Sequence, residues 1–289
     1  VVAQRLAENS KASVLLLEAG KSKEEVPASS VPAAVSQILG TDADWNIQSE
    51  PCAELNNRQL HLGRGKFMGG SSGCNGTLCI RGVPQDYDDW GVEGWNGEDM
   101  FKYMKKAEDF RNKDWFEATD AGHGKDGPII TAPHDPAPIS YCVLQSFCSK
   151  GLPLSPDMFT TGESAQGCGH AIRSIFKGVR TTSHDYIGQD HDVPKVKVVT
   201  GHYVDKIVFT KYGDELIATR VNMRDKDGKE YYAEAKQEVV LTSGTYGSPP
   251  ILLRSGIGPK DELEKLGIPT IMDVPGVGKN LMDHLVSSK

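Results

Sequence analysis

The chain has 289 residues, 38% hydrophobic and 25% charged, the mixture of a soluble globular protein with a sizeable core and room for one or two domains. A net charge of -7 without any cluster of Lys and Arg excludes an electrostatic nucleic-acid surface, which needs a phosphate-neutralising face. No apolar run approaches a membrane span, and cysteines at 52, 74, 79, 142, 148 and 168 show no zinc-type spacing, so they read as ordinary thiols and no metal site is expected.

The first residues, VVAQRLAENS, read as the tail of a helix, and ASVLLLEAG as a strand over 14 to 17 closed by Glu18, Ala19 and Gly20. Its continuous apolar run predicts a parallel strand buried on both faces. Helix, short turn and buried strand ending in an acid is the second half of a βαβ dinucleotide-binding unit, whose acid accepts hydrogen bonds from ribose hydroxyls. A solvated strand end is the alternative for Glu18. The strand and glycine turn that should come before it are not in the sequence. Residues 27 to 59 read as a long connection with little regular structure, with Trp45 as a packing anchor in preference to a ring beside a ligand.

Next comes GRGKFMGGSSGCNGTLCIRG, residues 63 to 82. Glycine lets backbone approach a ligand that a Cβ would push away. Gly69, Gly70, Ser71 and Ser72 ahead of CNGTLCI predict backbone N–H groups and hydroxyls at a helix N-terminus, where an anion such as a pyrophosphate is stabilised. It is not a Walker loop, because Lys66 precedes the glycines. A flexible linker is the bland alternative, and the interleaved Phe, Met, Leu and Ile argue against it.

Further along, NGEDMFKYMKKAEDF predicts an amphipathic helix with a cap at Asn96, acids at Glu98 and Asp99, and apolar residues at 100, 101, 103, 104, 107 and 110. GPIITAP, 127 to 133, predicts a strand, and PISYCVLQSFCSKGLP a helix stopped by Gly151 and Pro153. From 195 to 241 the pattern is of strands, with a DKDG hairpin turn at 225 to 228 and a last strand through Val239, Val240 and Leu241. GSPPILLRSGIG then predicts a helix with Pro near its start and a stop at Gly256.

The 63 to 82 stretch resembles the first signature of the glucose-methanol-choline (GMC) family of FAD-dependent oxidoreductases, through Gly65, Gly69, Gly70, Ser71, Ser72, Asn75, Arg81 and Gly82. SGTYGSPPILLRSGIG, 243 to 258, resembles the second, and PGVGKNLMDH, 275 to 284, the motif that follows it. QDYDDWGVEGWNGEDMFKYMKKAEDF and KGVRTTSHDYI look most like the alcohol (methanol) oxidase-like fungal branch. The resemblance implies an α/β fold, α+β overall: a Rossmann-like FAD-binding domain with an inserted substrate domain on a mostly antiparallel sheet. Residues 1–130 would be the first part of the FAD-binding domain, 131–195 part of the substrate domain, and 196–289 the return to the FAD-binding domain.

The implied cofactor is FAD. Glu18 would hold the ribose, the backbone of Val204 the adenine, and Gly69, Gly70 and Ser71 would lie near the phosphates and ribityl chain. Asn75, Gly76, Thr77 and Leu78 would run along the flavin ring, where amide donors stabilise negative charge. Cys74 stands where some choline-oxidising members carry a His bonded to the flavin, and it is read as a free thiol. The implied reaction oxidises a primary or secondary alcohol, a small molecule, to an aldehyde or ketone by hydride transfer to flavin N5, and oxygen or another acceptor reoxidises the flavin. The catalytic base of the family is expected beyond Lys289. His284 would belong to a structural motif, and His170, His184 and His191 show no catalytic spacing.

Two rivals are a hydroxynitrile lyase on the same FAD scaffold and a catalytically inert fragment. The 289-residue polypeptide expressed alone is expected to purify colourless and inactive; a stoichiometric flavin absorbance spectrum would overturn this. The closing SSK reads as the cut end of a longer chain and not as a peroxisomal address, so compartment, like homo-oligomer formation, is left open.

Overall fold

The computed structural model describes residues 1–120, 122–187 and 195–283. His191 and His284 lie outside them. The chain divides into two units, one of 1–16 with 20–198 and one of 17–19 with 199–289.

In the first unit, the helix Val2–Asn9 turns Ala3 and Ala7 inward. The strand Val14–Leu17 follows and pairs with Val196–Val199. It is not buried on both faces, since Leu15 is 43% exposed. With one strand neighbour among the described residues it has an open edge, and the face that carries Leu15 is left uncovered.

Residues 27 to 59 are largely irregular, as expected, but they supply the core. Two 3₁₀ turns, Pro27–Ser30 and Pro32–Gln37, each start on a proline whose φ suits a first helical position. Val26, Ile38 and Ala43 pack on Phe67 and Cys74, with Ile38 and Phe67 fully buried. Each such side chain is worth ~1.5–3 kcal/mol when fully removed from water. Trp45 departs from its expected anchor role: it is partly exposed, with Lys66 Nζ 5.1 Å above its ring in a cation–π contact.

The helix Gly97–Ala107 forms as its signals predict. Asn96 accepts from the Asp99 N–H, acids occupy the first turn, and Lys105 and Lys106 sit in the last turn, each complementing the helix dipole. Tyr103 is exposed instead of packed, because the inward stripe runs through Gly97, Phe101, Met104 and Lys105. Nor does Phe110 belong to this helix: Glu108–Phe110 is a strand, parallel to Ile129–Pro133. These two strands, with Ile172–Arg173 and Leu78–Cys79, form a four-stranded sheet whose other two pairings are antiparallel. The helix Pro138–Ser149 ends before Gly151 and Pro153, as predicted, but none of its residues is buried.

The second unit is built on a meander of Tyr203–Tyr212, Glu215–Arg224 and Glu230–Glu234. Its second hairpin closes where Asp225 and Gly228 bond across the DKDG turn. The helix Ser248–Arg254 packs on the first strand, with Ser255 Oγ accepting the Ile207 N–H at 2.8 Å, and Gly256 follows with φ +80°. Val239, Val240 and Leu241 do not form the expected strand. Without a neighbouring strand among the described residues, their backbone has no ladder to join.

Candidate functional site

The glycine-rich segment is held from its N-terminal side by buried backbone pairing. Met68 N–H donates to Lys21 O at 2.8 Å and Lys66 N–H to Ala43 O at 2.8 Å. Asp44 accepts from the N–H groups of Gly40, Asn46 and Arg64 and pairs with His61. Burial alone would push the Asp44 carboxyl up; these hydrogen bonds outweigh it and hold the carboxyl down at about 2. A charged, four-partner Asp44 therefore fixes the entry to the segment.

The segment itself is not a helix N-terminus. Gly69 has φ +103°, Gly70–Gly73 is a single 3₁₀ turn, and Leu78–Cys79 is extended. Asn75 explains the break: its Oδ1 accepts the Thr77 N–H at 2.9 Å, and Thr77 takes φ +64°. That local Asx turn competes with helix propagation. The N–H groups of Gly70 and Ser72 close turns onto Phe67 O and Gly69 O, so they are spent internally. At Gly73 a Cβ would meet the Phe67 ring at 2.5 Å, whereas at Gly76 nothing stands within 4 Å. The glycines thus serve turn geometry, core packing and an open approach at different positions.

Beyond Gly76 the period of two sorts the side chains. Thr77 is 3% exposed and Cys79 partly buried, while Leu78 and Ile80 are 53% and 54% exposed. The unit therefore presents a row with no side chain at Gly76 and two apolar side chains beyond it. Cys74 points the other way, into the core with Phe67, and burial pushes its thiol up. It is a buried, unreactive free thiol.

Residues 180 to 185 clamp this segment, a role sequence reasoning missed. Arg180 is 1% exposed. Its Nη1 donates to Asn75 Oδ1 at 2.7 Å, Asn75 O at 2.9 Å and Ser72 O at 3.3 Å, and its Nη2 to Pro32 O at 3.4 Å. Burial pulls its pKa down, but a guanidinium stays charged. Among the described residues no carboxylate pairs with it. Because two donors occupy Asn75 Oδ1, the amide orientation is fixed and its Nδ2 is left as the outward donor. Ser183 N–H donates to Ser72 Oγ at 2.9 Å and Ser183 Oγ to Gly69 O at 3.2 Å. The signal available in sequence was the Thr182 to Asp185 capping box, which the structure contains.

Of the predicted site residues, Gly69, Gly70, Ser71, Asn75, Gly76, Thr77 and Leu78 lie together in the first unit. Thr77 has its hydroxyl committed to Gly76 O at 2.6 Å, its N–H to Asn75 Oδ1 at 2.9 Å and its O to the Ser174 N–H at 2.9 Å, so it shapes the segment and offers no free donor. Glu18 and Val204 belong to the second unit, where Glu18 O accepts the His202 N–H at 3.1 Å and brings the two close in space.

A second polar group, around Arg81, is structural. Arg81 Nη2 meets Glu108 Oε2 at 2.7 Å and its Nη1 bonds Gly122 O. Glu108 also accepts from Gly124 N–H at 2.8 Å and Thr131 Oγ1 at 2.7 Å. His123 stacks on Phe110 at 3.5 Å, with Nε2 3.1 Å from Asp157 and Nδ1 3.4 Å from Glu108. All four charged side chains are nine-tenths or more buried, which closes them to a substrate.

Among known proteins, the profile of the GMC oxidoreductase family matches residues 9–286. The chain is 36% identical over 298 residues to the oxygen-dependent choline dehydrogenase of Burkholderia multivorans, covering 99% of this chain and 50% of that protein. Formate oxidase of Aspergillus oryzae superposes with a TM-score of 0.87 at 28% identity, covering 98% of this chain and 50% of the other. An FAD-dependent oxidoreductase from Chaetomium thermophilum superposes with a TM-score of 0.87 at 30% identity and the same coverage. The chain spans about half the length of these relatives.

Proposed function

The chain belongs to the GMC oxidoreductase family, whose cofactor is FAD, and from that premise we propose that it forms the cofactor bed of an oxidoreductase acting on the CH–OH group of a small alcohol. The observation that carries this is the outward row of Gly76, Leu78 and Ile80 beside the locked Asn75 amide. Such a row fits one face of a planar ring: the missing Cβ admits close approach, the apolar side chains cover it, and Nδ2 can donate to an acceptor on it.

Bound FAD supplies a hydride acceptor at N5, which allows a carbinol to become an aldehyde or ketone, with oxygen or another acceptor taking the electrons. This chain's residues bind and orient. Glu18 and Val204 hold the adenosine end, and Gly69, Gly70 and Ser71 line the phosphate and ribityl region. Asn75 donates from Nδ2, Gly76 and the Thr77 backbone lie along the ring, and Leu78 shields it from water. Arg180 positions Asn75 and adds fixed positive charge behind it, which favours negative charge in front. No described residue is assigned as the base. In this proposal residues 1–130 and 196–289 serve the cofactor and residues 131–195 the substrate.

The test is anaerobic addition of a series of primary and secondary alcohols to the intact polypeptide that carries this chain. One of them is expected to bleach the oxidised-flavin absorbance, and an electron acceptor to restore it. Unchanged absorbance with every alcohol, together with release of cyanide from a cyanohydrin, would replace this reading with a lyase.

A further inference from the structure

The helix Pro138–Ser149 buries none of its residues, and its inner side roofs a cavity of about 410 Å³ whose lining includes Trp115, Tyr141, Leu144, Leu154 and His170. Cys148, in its last turn, also lines that cavity, and its Sγ stands 3.8 Å from Sγ of Cys168. The two thiols differ in a useful way. Cys148 is exposed, within reach of a small solute, whereas Cys168 is buried. Backbone bonds hold Cys168 in place: its N–H donates to Pro153 O at 2.9 Å and its O accepts from Ser155 N–H at 3.0 Å. Cys142 is also exposed on the helix.

We propose that Cys148 and Cys168 form a peroxide-responsive dithiol, closing to a disulfide that ties the end of the helix to the parallel backbone β-bridge between Leu154 and Cys168 at the rim of the cavity. The sulfurs are in van der Waals contact and need to approach by a further ~1.8 Å to reach bonding distance, a shift that the exposed end of the helix permits. In the first step the Cys148 sulfur attacks a hydroperoxide: the O–O bond breaks, an S–O bond forms, and the peroxide leaves as an alcohol or water. In the second, the Cys168 sulfur displaces water from the Cys148 sulfenic acid and the S–S bond forms. Together the thiols lose two electrons and two protons, and the peroxide gains them. Burial and the neighbouring sulfur push the Cys168 thiol up. The second step therefore accelerates as pH rises past the ordinary thiol range.

The intact polypeptide is treated with one equivalent of hydrogen peroxide, its remaining thiols are blocked, and unreduced peptides are mapped by mass spectrometry. A peptide joining Cys148 to Cys168 is expected, lost on treatment with dithiothreitol, absent in Cys148→Ser, and formed several-fold faster at high pH. Cys142 is expected to stay uncrosslinked. Oxidation of Cys148 to sulfinic acid without a crosslink, pairing of Cys142 with Cys168, or Cys148 joined to a second molecule would each overturn the proposal.

Discussion

Replacing Glu108 by Gln is expected to lower the folding stability of the first unit by about 3–5 kcal/mol, the usual cost of leaving a buried charge without its partner. The carboxylate satisfies the Arg81 guanidinium, the Gly124 N–H and the Thr131 hydroxyl together. An amide keeps one acceptor and brings donors that face Arg81. Removing both charges with Arg81→Met and Glu108→Gln is expected to cost less than the sum of the single changes, by more than about 1 kcal/mol. Urea unfolding of the four proteins reads this coupling. Additive losses would show that the pair contributes only as packing.

The same cluster sets a pH dependence whose sign is determined on both sides. Burial pushes the Glu108 carboxyl up from its ordinary 4.5, but His123, Gly124, Thr131 and Arg81 outweigh it and hold it below that value. Its contribution is present above pH 4.5 and is lost as pH falls through the lower folded value. For His123, burial lowers the pKa, but Asp157 and Glu108 together raise it above its ordinary 6.5. Its contribution is complete below pH 6.5 and is lost as pH rises through the raised value. With His123 protonated the cluster holds two cations and two carboxylates. His123→Gln is expected to remove the loss on the alkaline side and to leave a smaller acid limb, held by Gly124, Thr131 and Arg81, in thermal midpoints measured across pH. An unchanged alkaline limb would place that titration elsewhere.

What the sequence disclosed were features whose causes are local. The helix Gly97–Ala107 carries its own cap and end charges, and Ser248–Arg254 its own prolines and closing glycine. The glycine-rich segment was legible as a ligand bed because its composition has few other uses. Its conformation was not, since whether residues 74 to 80 coil or extend depends on one Asx turn and on strand pairing with Ile172–Arg173. The expected strand at Val239 to Leu241 failed for the complementary reason: apolar, β-branched residues permit a strand but do not supply its neighbour. Arg180 was read only as part of a resemblance. Its partners lie 105, 108 and 148 residues away, beyond any spacing rule.

Arg180→Met is expected to weaken FAD binding by the intact polypeptide about ten- to a hundred-fold. Charge-assisted hydrogen bonds contribute roughly 1.5–3 kcal/mol each, and each 1.4 kcal/mol of lost affinity is tenfold. Part of the loss falls on folding, since Pro32 O and Ser72 O lose a donor whether or not cofactor is bound. The part that falls on binding comes through Asn75. With Arg180 present, its Oδ1 is held by two donors and Nδ2 has one orientation. Without it, the amide samples rotamers that binding must then freeze. Met fills a similar volume without a donor, so it separates charge from packing. Lys at 180 retains the charge but not the fork of donors, and its affinity is expected to lie between those of Arg and Met. Flavin titration and apo-protein melting, measured on the same three proteins, divide the two effects. A lowered melting temperature with unchanged FAD affinity would make Arg180 a support of the fold alone, whereas an affinity loss that exceeds the stability loss requires the path through Asn75.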